Sequence, residues 1–245
     1  MEHINDLQFV YIILAYNNSK EIVQMIKTLQ YENKHSFIIH VDAAEENEPT
    51  YSFLIEFASH HSNVHILPTK ERARTNSKGF SVVNAILQMI RFIINYDVQN
   101  GEKINFQKVI YVSANMYSSV SDALIKNVVM SKPLSANILK LNSEFVQPDP
   151  DSWKYIIECD DRLHEIFNLP ILTKDRHKCE LRKSSEKSFI LSESFAVYLA
   201  KASGNNFVDD FLEYAKHMTY AHDFFFGTVL LHSPYCHTFV NATII

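Results

Sequence analysis

The run Phe9-Val-Tyr-Ile-Ile-Leu-Ala15 indicates the fold class, because an unbroken series of apolar, β-branched and aromatic residues is typical of a strand buried on both faces. A polar break follows at residues 16–19, and apolar residues then recur with helical spacing at Ile22, Val23, Ile26 and Leu29. A second buried run, Ser36-Phe-Ile-Ile-His-Val41, ends at Asp42. A strand, a helix and a strand within about 35 residues predict a βαβ unit with parallel strands.

The alternation of strands and helices continues along most of the chain. We expect helices at Tyr51–His60, Val82–Ile93, 120–131, Ser194–Ala202, Phe207–His217 and Asp223–Leu231, and strands at Asn63–Leu67, Val109–Val112, Asn137–Leu141 and Ser188–Leu191. Residues 145–188 show no regular pattern. The alternation predicts an α/β fold with a doubly wound, mostly parallel sheet flanked by helices. We expect a single domain over residues 1–245.

Composition excludes several classes of protein. The 245 residues are 47% hydrophobic and 12% aromatic, which is typical of a globular chain with a sizeable core. The net charge of −5 argues against a basic surface for nucleic acid. The apolar run at residues 9–15 is shorter than the roughly twenty residues that cross a bilayer. The preceding residues 1–6 are acidic, whereas a signal peptide begins with basic residues, so we expect the chain as given to be soluble.

The cysteines and histidines do not form a recognisable metal motif. The three cysteines, Cys159, Cys179 and Cys236, allow at most one disulfide bridge within the chain, and Cys159–Cys179 is the most local choice. Buried free thiols are the equally weighted alternative. None of the twelve histidines lies in an H-E-x-x-H or comparable pattern. We therefore expect no metal ion and no cofactor.

A doubly wound sheet binds its ligands at the carboxyl ends of its strands. The loops expected there are residues 16–19, 42–44, 69–79 and 113–117. The chain has neither a G-x-G-x-x-G motif nor a G-x-x-x-x-G-K-[ST] motif, so dinucleotide and P-loop sites are not supported. Asp42 could accept hydrogen bonds from a uracil N–H or from ribose hydroxyls, and the alternative is that it caps a helix or closes a turn.

Five segments of the chain share a likeness to one family, and they are, in order, Val10–Asn18, Phe37–Asp42, Gly79-Phe-Ser81, Ile110–Tyr117 and Asp223–Cys236. Together they resemble the family of core-2/I-branching β-1,6-N-acetylglucosaminyltransferases and peptide O-xylosyltransferases, and are more similar to the xylosyltransferase branch. Val10–Asn18 resembles the opening strand and loop of the family, and Phe37–Asp42 resembles its I-H-V-D strand. Gly79-Phe-Ser81 and Ile110–Tyr117 resemble the W-G-G-x-S and L-S-x-x-D-Y-P segments. Asp223–Cys236 resembles the E-S-F-F-x-T-V-L-x-N-S-P segment, and Glu158-Cys-Asp160 is a shorter likeness. The resemblance spans nearly the whole chain.

This resemblance implies a GT-A-like fold and an inverting, metal-independent transfer of xylose or N-acetylglucosamine from a UDP-sugar to a hydroxyl of a glycan or protein. The family's catalytic base aligns with Asp223, and the alternative for this residue is that it caps a helix. The resemblance also implies a nucleotide-binding half over about 1–142 and an acceptor and catalytic half over about 143–245. The nucleotide site is expected to include Leu14, Ala15, Asp42, Thr75, Asn76 and Ser77. Because family members usually work in the Golgi lumen behind a membrane anchor, the resemblance implies a Golgi location and a membrane contact only through a segment outside these residues.

The chain departs from the family pattern at several positions. Ser77 and Lys78 replace the tryptophan and first glycine of W-G-G, and Met116 replaces the aspartate of L-S-x-x-D-Y-P. The family's Arg/Lys pair that neutralises the leaving diphosphate belongs to a stretch that these residues do not include. The chain offers the cations Lys70, Arg72, Arg74 and Lys78 in one loop and Arg182-Lys183 in another. Arg72, Arg74 and Lys78 are the candidates for that role, and a solvated loop is the alternative. The second hypothesis for the whole chain is therefore a non-catalytic family member that binds a nucleotide sugar or a glycan.

Overall fold

The computed structural model describes residues 7–29, 35–96, 103–112, 122–146, 155–159, 162–166, 181–201 and 207–244. The strands in this part of the chain are β1 (Phe9–Ala15), β2 (Ser36–Val41), β3 (Val64–Ile66), β4 (Lys108–Val112), β5 (Asn137–Val146), β6 (Tyr155–Cys159), β7 (Arg162–Ile166), β8 (Leu181–Ser192) and β9 (Phe239–Asn241). The helices are α1 (Ser19–Leu29), α2 (Glu48–Ser59), α3 (Ser81–Ile94), α4 (Asp122–Met130), α5 (Glu193–Ala200), α6 (Phe207–Ala215) and α7 (Ala221–Leu231).

Seven strands form one mixed sheet in the order β3-β2-β1-β4-β8-β5-β9. β1 pairs in parallel with both β2 and β4, β2 pairs in parallel with β3, and β5 pairs in parallel with β9. β8 is antiparallel to both of its neighbours. The mostly parallel α/β sheet flanked by helices is the fold class predicted from the alternation of strands and helices. β6 and β7 form a separate antiparallel hairpin.

The prediction of irregular structure for residues 145–188 was wrong where the structure describes this segment. β8 begins at Leu181, and its first half pairs with β5 but not with β4, whose partners are Phe189 to Ser192. This half of the strand, residues 182–187, alternates half-buried and exposed positions and carries charged side chains. An extension beyond the main sheet needs no continuous apolar run, so the sequence gives no buried-strand signal there.

The core lies around β1 and the helices that cover it. All seven residues of β1 are buried, because the strand has a neighbour on each side and helices over the sheet. α7 is buried on all sides from Phe224 to Leu230, and Phe224, Phe225 and Phe226 are only 6%, 0% and 2% exposed. The ring of Phe226 packs against Phe189 of β8 at 4.6 Å. Three consecutive residues of a helix point in three different directions from its axis, and here all three phenylalanines are core residues.

Lys108 at the start of β4 is completely buried, and its Nζ donates a hydrogen bond to the Ala136 carbonyl. Burial lowers the pKa of Lys108 from its ordinary value of 10.5 to about 8. The unfolded chain therefore holds one more proton than the folded chain between pH 8 and 10.5. The destabilising contribution of Lys108 to the free energy of unfolding is fully present below pH 8, and it disappears as the pH rises from 8 to 10.5.

We expect Lys108→Met to be more stable than the wild type at pH 7. The difference in the free energy of unfolding should decrease by about 3 kcal/mol between pH 8 and 10.5. Denaturant unfolding of both proteins at a series of pH values measures this difference. Comparing two proteins cancels the titration of all other groups. A stability difference that does not vary across this pH range would contradict the argument.

Two smaller predictions concern the thiols and membrane association. Cys159 is an exposed free thiol, so the Cys159–Cys179 bridge that was the most local choice is not formed. Cys236 is also free and exposed. The alternative prediction of buried free thiols is therefore wrong for these two cysteines. Within the described ranges, no helix is both long enough and apolar enough to serve as a membrane span.

Candidate functional site

The carboxyl ends of β1 and β2 meet, and they place the first group of predicted site residues together. Ala15 is the register partner of Val41, and the Asp42 amide donates a hydrogen bond of 2.9 Å to the Ala15 carbonyl. Leu14 and Ala15 are buried at the end of β1, and Asp42 is only 3% exposed although it lies in a loop. A buried carboxylate requires hydrogen-bond donors, so its partners define this part of the site.

Asp42 accepts four hydrogen bonds from the chain. Oδ1 accepts from the Ala44 amide at 2.8 Å and from Nδ2 of Asn47 at 2.9 Å. Oδ2 accepts from the amide and the hydroxyl of Thr75 at 2.6 and 2.7 Å. These bonds use the roughly four lone-pair directions of a carboxylate. Asp42 therefore closes a turn with Ala44 and also fastens Thr75, another predicted nucleotide-binding residue, to the end of β2.

Tyr16 extends this group on the β1 side. The Tyr16 hydroxyl lies 3.0 Å from Oγ1 of Thr75. Because Thr75 donates its own hydroxyl proton to Asp42, Tyr16 is the donor in this contact. Burial is the main cause that raises the pKa of Tyr16, and the carboxylate of Asp42 adds to it. Tyr16 therefore stays protonated and gives a directed chain from Tyr16 through Thr75 to Asp42.

Arg72 is occupied elsewhere. Its Nε and Nη2 donate to the carbonyls of Val41 and Asp42 at 3.0 and 2.9 Å, and Nη2 forms an ion pair of 2.8 Å with Glu48. The guanidinium lies 3.9 Å from the ring centre of Tyr51, and the Arg72 side chain is 1% exposed. In this conformation Arg72 fixes the backbone after β2 and is not available to a diphosphate.

His40, a buried residue of β2, holds the loop that follows Arg72 by a hydrogen bond. The Ala73 amide donates to Nε2 of His40 at 3.0 Å, which requires a lone pair on that nitrogen. Burial is the largest cause that lowers the pKa of His40 from 6.5 to about 4, so the ring is neutral at physiological pH. The loop of residues 72–80, which we call the 72–80 loop, is thus attached to the end of β2 through Arg72, Ala73 and Thr75.

The far end of the 72–80 loop contacts the start of α7. Lys78 donates its amide to Oδ1 of Asn76 and accepts a 2.7 Å hydrogen bond from the Tyr220 amide through its carbonyl. Ser77, Lys78 and Arg74 have exposed side chains. Tyr220 has a φ of 55°, the positive value of the left-handed region, and is the residue directly before α7. The loop therefore links the Asp42 group to the helix that carries Asp223.

Asp223 lies in the first turn of α7, and its side chain is 19% exposed. Its Oδ1 is 3.0 Å from Nε2 of His222. Nδ1 of His222 is buried and has no hydrogen-bond partner among the described residues. A partly exposed carboxylate with one oxygen held by a neighbouring imidazole can accept a proton from a hydroxyl that approaches its other oxygen.

A cavity of about 650 Å³ lies beside the 72–80 loop. This volume is in the range of small-molecule sites, roughly 300–1,000 Å³. The cavity lies between this loop, the first turn of α3, β6 and the residues after α6, and is lined by Arg74, Phe80, Ser81, Asn84, Ile157, Glu158, Lys216 and His217. Of the candidate diphosphate ligands, Arg74 faces this cavity and Lys78 is exposed at the contact with α7.

The structure brings together Leu14, Ala15, Asp42 and Thr75, and it places Asn76, Ser77 and Lys78 on the adjoining loop. The sequence did not point to Asn47, Tyr16 or His222 as partners of these residues, although Tyr16 follows β1 in a loop expected at the site. The loop predicted at residues 113–117 lies outside the described residues. In the part of the chain that the structure describes, no three His, Cys, Asp or Glu side chains are grouped as metal ligands would be.

Comparison with solved structures finds distant likenesses. A crystal structure of 4-diphosphocytidyl-2C-methyl-D-erythritol synthase is 7% identical, with a TM-score of 0.39 over 87% of each chain. The structure of CMP:2-keto-3-deoxy-manno-octonic acid synthetase complexed with CTP is also 7% identical, with a TM-score of 0.37 over 86% of this chain and 88% of that chain. No curated protein matches the sequence.

The family comparison covers almost the whole chain. Residues 9–244 match the model of the Core-2/I-branching enzymes. The matched range begins with β1 and ends after β9, so it contains the Asp42 group, the 72–80 loop and Asp223. The chain belongs to the Core-2/I-branching enzyme family, which is a family of glycosyltransferases.

Proposed function

We propose that this glycosyltransferase-family chain is an inverting enzyme that transfers xylose or N-acetylglucosamine from a UDP-sugar to a hydroxyl of a glycan or protein. In this proposal the uridine binds at the carboxyl ends of β1 and β2, beside Leu14, Ala15, Asp42 and Thr75. Asp223 is the general base. The observation that carries the proposal is the hydrogen bond from Tyr220 to Lys78, which joins the two groups through one loop.

The Asp42 group provides a pre-formed surface for a nucleotide. Because Asp42 accepts four hydrogen bonds within the chain, it acts mainly by fixing the backbone of the 72–80 loop. Backbone groups of Thr75, Asn76 and Ser77 would then meet the base and ribose without a large ordering cost. A direct contact between Asp42 and the uracil would require exchange of one of these bonds.

Asp223 would remove the proton from the acceptor hydroxyl while that oxygen attacks the anomeric carbon and UDP departs. Such a base must lie within about 3 Å of the hydroxyl. The contact with His222 would orient the carboxylate. Negative charge develops on the departing diphosphate, and cations near it stabilise the transition state. Lys78, which is exposed beside Tyr220, and Arg74 are the candidates for this role, since Arg72 is buried against β2 and Glu48.

The burial of Arg72 also favours a second candidate function. With one of three candidate cations engaged in the fold, the charge available to a leaving diphosphate is smaller than the sequence suggested. A family member that binds a nucleotide sugar or glycan without turnover needs the Asp42 group but not a complete set of cations. The two candidates differ in catalysis and agree on nucleotide binding.

Calorimetric titration with UDP, followed by hydrolysis and transfer assays with a panel of UDP-sugars, tests both candidates. UDP binding with turnover of one donor supports the enzyme. UDP binding without turnover of any donor supports the binding protein. A chain that binds neither UDP nor any UDP-sugar contradicts both.

We expect UDP binding and any transfer to be insensitive to EDTA. At the end of β4 the sequence has Ser113-Ala-Asn-Met116 and no D-x-D pair, and a lone asparagine is a poor ligand for Mg²⁺ or Mn²⁺, which favour carboxylate and phosphate oxygens. Titrations with EDTA and with added Mn²⁺ measure this directly. A tenfold weaker affinity after chelation would overturn metal independence.

A further inference from the structure

Glu158 of the β6–β7 hairpin contacts the first turn of α3. Its Oε2 accepts a 2.9 Å hydrogen bond from the Ser81 amide, and its Oε1 accepts a hydrogen bond from the Ser81 hydroxyl. The two residues are 77 positions apart in sequence. A carboxylate is favoured at this place, because the first amides of a helix have no partner within the helix and the helix dipole attracts negative charge there.

The same serine passes this contact on to the 72–80 loop. The Ser81 hydroxyl donates to Glu158 and accepts a 2.8 Å hydrogen bond from the Asn76 amide. Asn76 in turn accepts from the Gly79 amide through its carbonyl and from the Lys78 amide through its side chain, each at 2.9 Å. Glu158 therefore holds, through Ser81, the turn that contains the proposed nucleotide-binding residues Asn76 and Ser77.

Gly79 leaves the space that the Glu158 carboxylate occupies. A Cβ atom at position 79 would lie less than 3.0 Å from Cδ, Oε1 and Oε2 of Glu158. The φ of Gly79 lies outside the left-handed range that side chains rarely adopt, so alanine is compatible with its conformation. The colliding atoms are the end of a flexible side chain, so alanine would displace the carboxylate and leave the backbone in place.

We propose that Glu158 is a positioning residue for the donor nucleotide. Glu158 holds residues 75–79 in the conformation that binds UDP. This inference rests on the proposed function. Without the contact, the turn would sample several conformations and would have to be ordered when the ligand binds. Since Glu158 comes from a hairpin outside the main sheet, the second half of the chain would thereby control the affinity of a site built mainly from the first half.

The test combines Glu158→Ala and Gly79→Ala, alone and together, with UDP titration by calorimetry. We expect each single variant to raise the Kd for UDP about tenfold, the effect of losing one preorganising contact. The double variant should bind no more weakly than either single variant, because both remove the same contact. Glu158→Gln should recover most of the affinity, since its carbonyl can accept from the Ser81 amide while its NH₂ group donates to the Ser81 oxygen.

Glu165→Gln is the matched control, because it removes one negative charge from an exposed position on the neighbouring strand of the same hairpin. It should bind UDP as the wild type does. Thermal unfolding of all variants separates positioning from stability, since a purely structural contact would lower Tm and leave the Kd unchanged. An unchanged Kd for UDP in Glu158→Ala, or effects on Kd that multiply in the double variant, would overturn this inference and leave the proposed function standing. A wild type that does not bind UDP would overturn the proposed function and this inference with it.

Discussion

Asp223→Asn is expected to lower sugar transfer roughly a hundredfold to ten-thousandfold, the range for loss of a general base. The Kd for UDP and the free energy of unfolding should stay nearly the same. Asparagine keeps an oxygen that accepts from His222, whose Nε2 lies 3.0 Å from the Asp223 carboxylate. Tyr220 and not Asp223 is the N-cap of α7, and the loss of one negative charge from the first turn of a helix costs only about 0.3–1 kcal/mol. Initial rates with the donor selected from the panel, together with UDP calorimetry and denaturant unfolding, measure the three quantities.

Two further variants make this result specific. Asp223→Glu restores the side-chain length of the family's base, and a shift of about 1 Å in a reacting group can change a rate about a hundredfold. Glu193→Gln is the control, because Glu193 is also a carboxylate in the first turn of a helix, at the exposed start of α5. If Asp223→Asn transfers sugar as fast as the wild type, Asp223 is not the base. If wild type and Asp223→Glu are both inactive while UDP binds, the binding-protein function is the better description.

Asp42→Ala is expected to weaken UDP binding about tenfold to a hundredfold and to lower the free energy of unfolding by about 2–4 kcal/mol. The substitution removes the carboxylate that accepts hydrogen bonds from four donors, which are the Ala44 amide, the Asn47 side chain, and the amide and hydroxyl of Thr75. Each buried donor that is left without a partner costs roughly 1–3 kcal/mol, although water can reach some of them in the variant. The loop that would contact the nucleotide then loses its attachment to the end of β2.

Asp42→Asn and Thr75→Val distinguish the parts of this effect. Asparagine places an NH₂ group against the Thr75 amide, which is also a donor, so it should weaken binding nearly as much as alanine does. Valine at position 75 keeps the amide contact and loses only the hydroxyl between Tyr16 and Asp42, so its effect should be smaller. Glu56→Ala, at an exposed position of α2, controls for the change in net charge. Equal UDP affinity in Asp42→Ala and wild type would remove Asp42 from the site.

The local pattern of residues was sufficient for the first half of the sheet. β1, β2 and β4 were predicted within one or two residues, because a strand buried on both faces needs a continuous apolar run that is visible in the sequence. The helical spacing of apolar residues indicates the buried face of α3, and the nearly continuous apolar run from Phe224 to Leu230 indicates that most of α7 is buried. The position of Asp42 at the end of a buried strand was likewise a local feature, and it placed the residue correctly at the carboxyl edge of the sheet.

The partners of charged and polar residues depended on the folded chain. Arg72 looked like a free loop cation in the sequence, and in the structure its side chain is buried against Val41, Asp42 and Glu48. Glu158 and Ser81 meet across 77 residues, and the first half of β8 pairs with β5 in a segment with no apolar run. Burial of apolar residues repeats with the period of a helix or strand and is therefore legible along the chain. A hydrogen bond or ion pair between distant segments has no period, so its existence follows only from the way in which those segments pack.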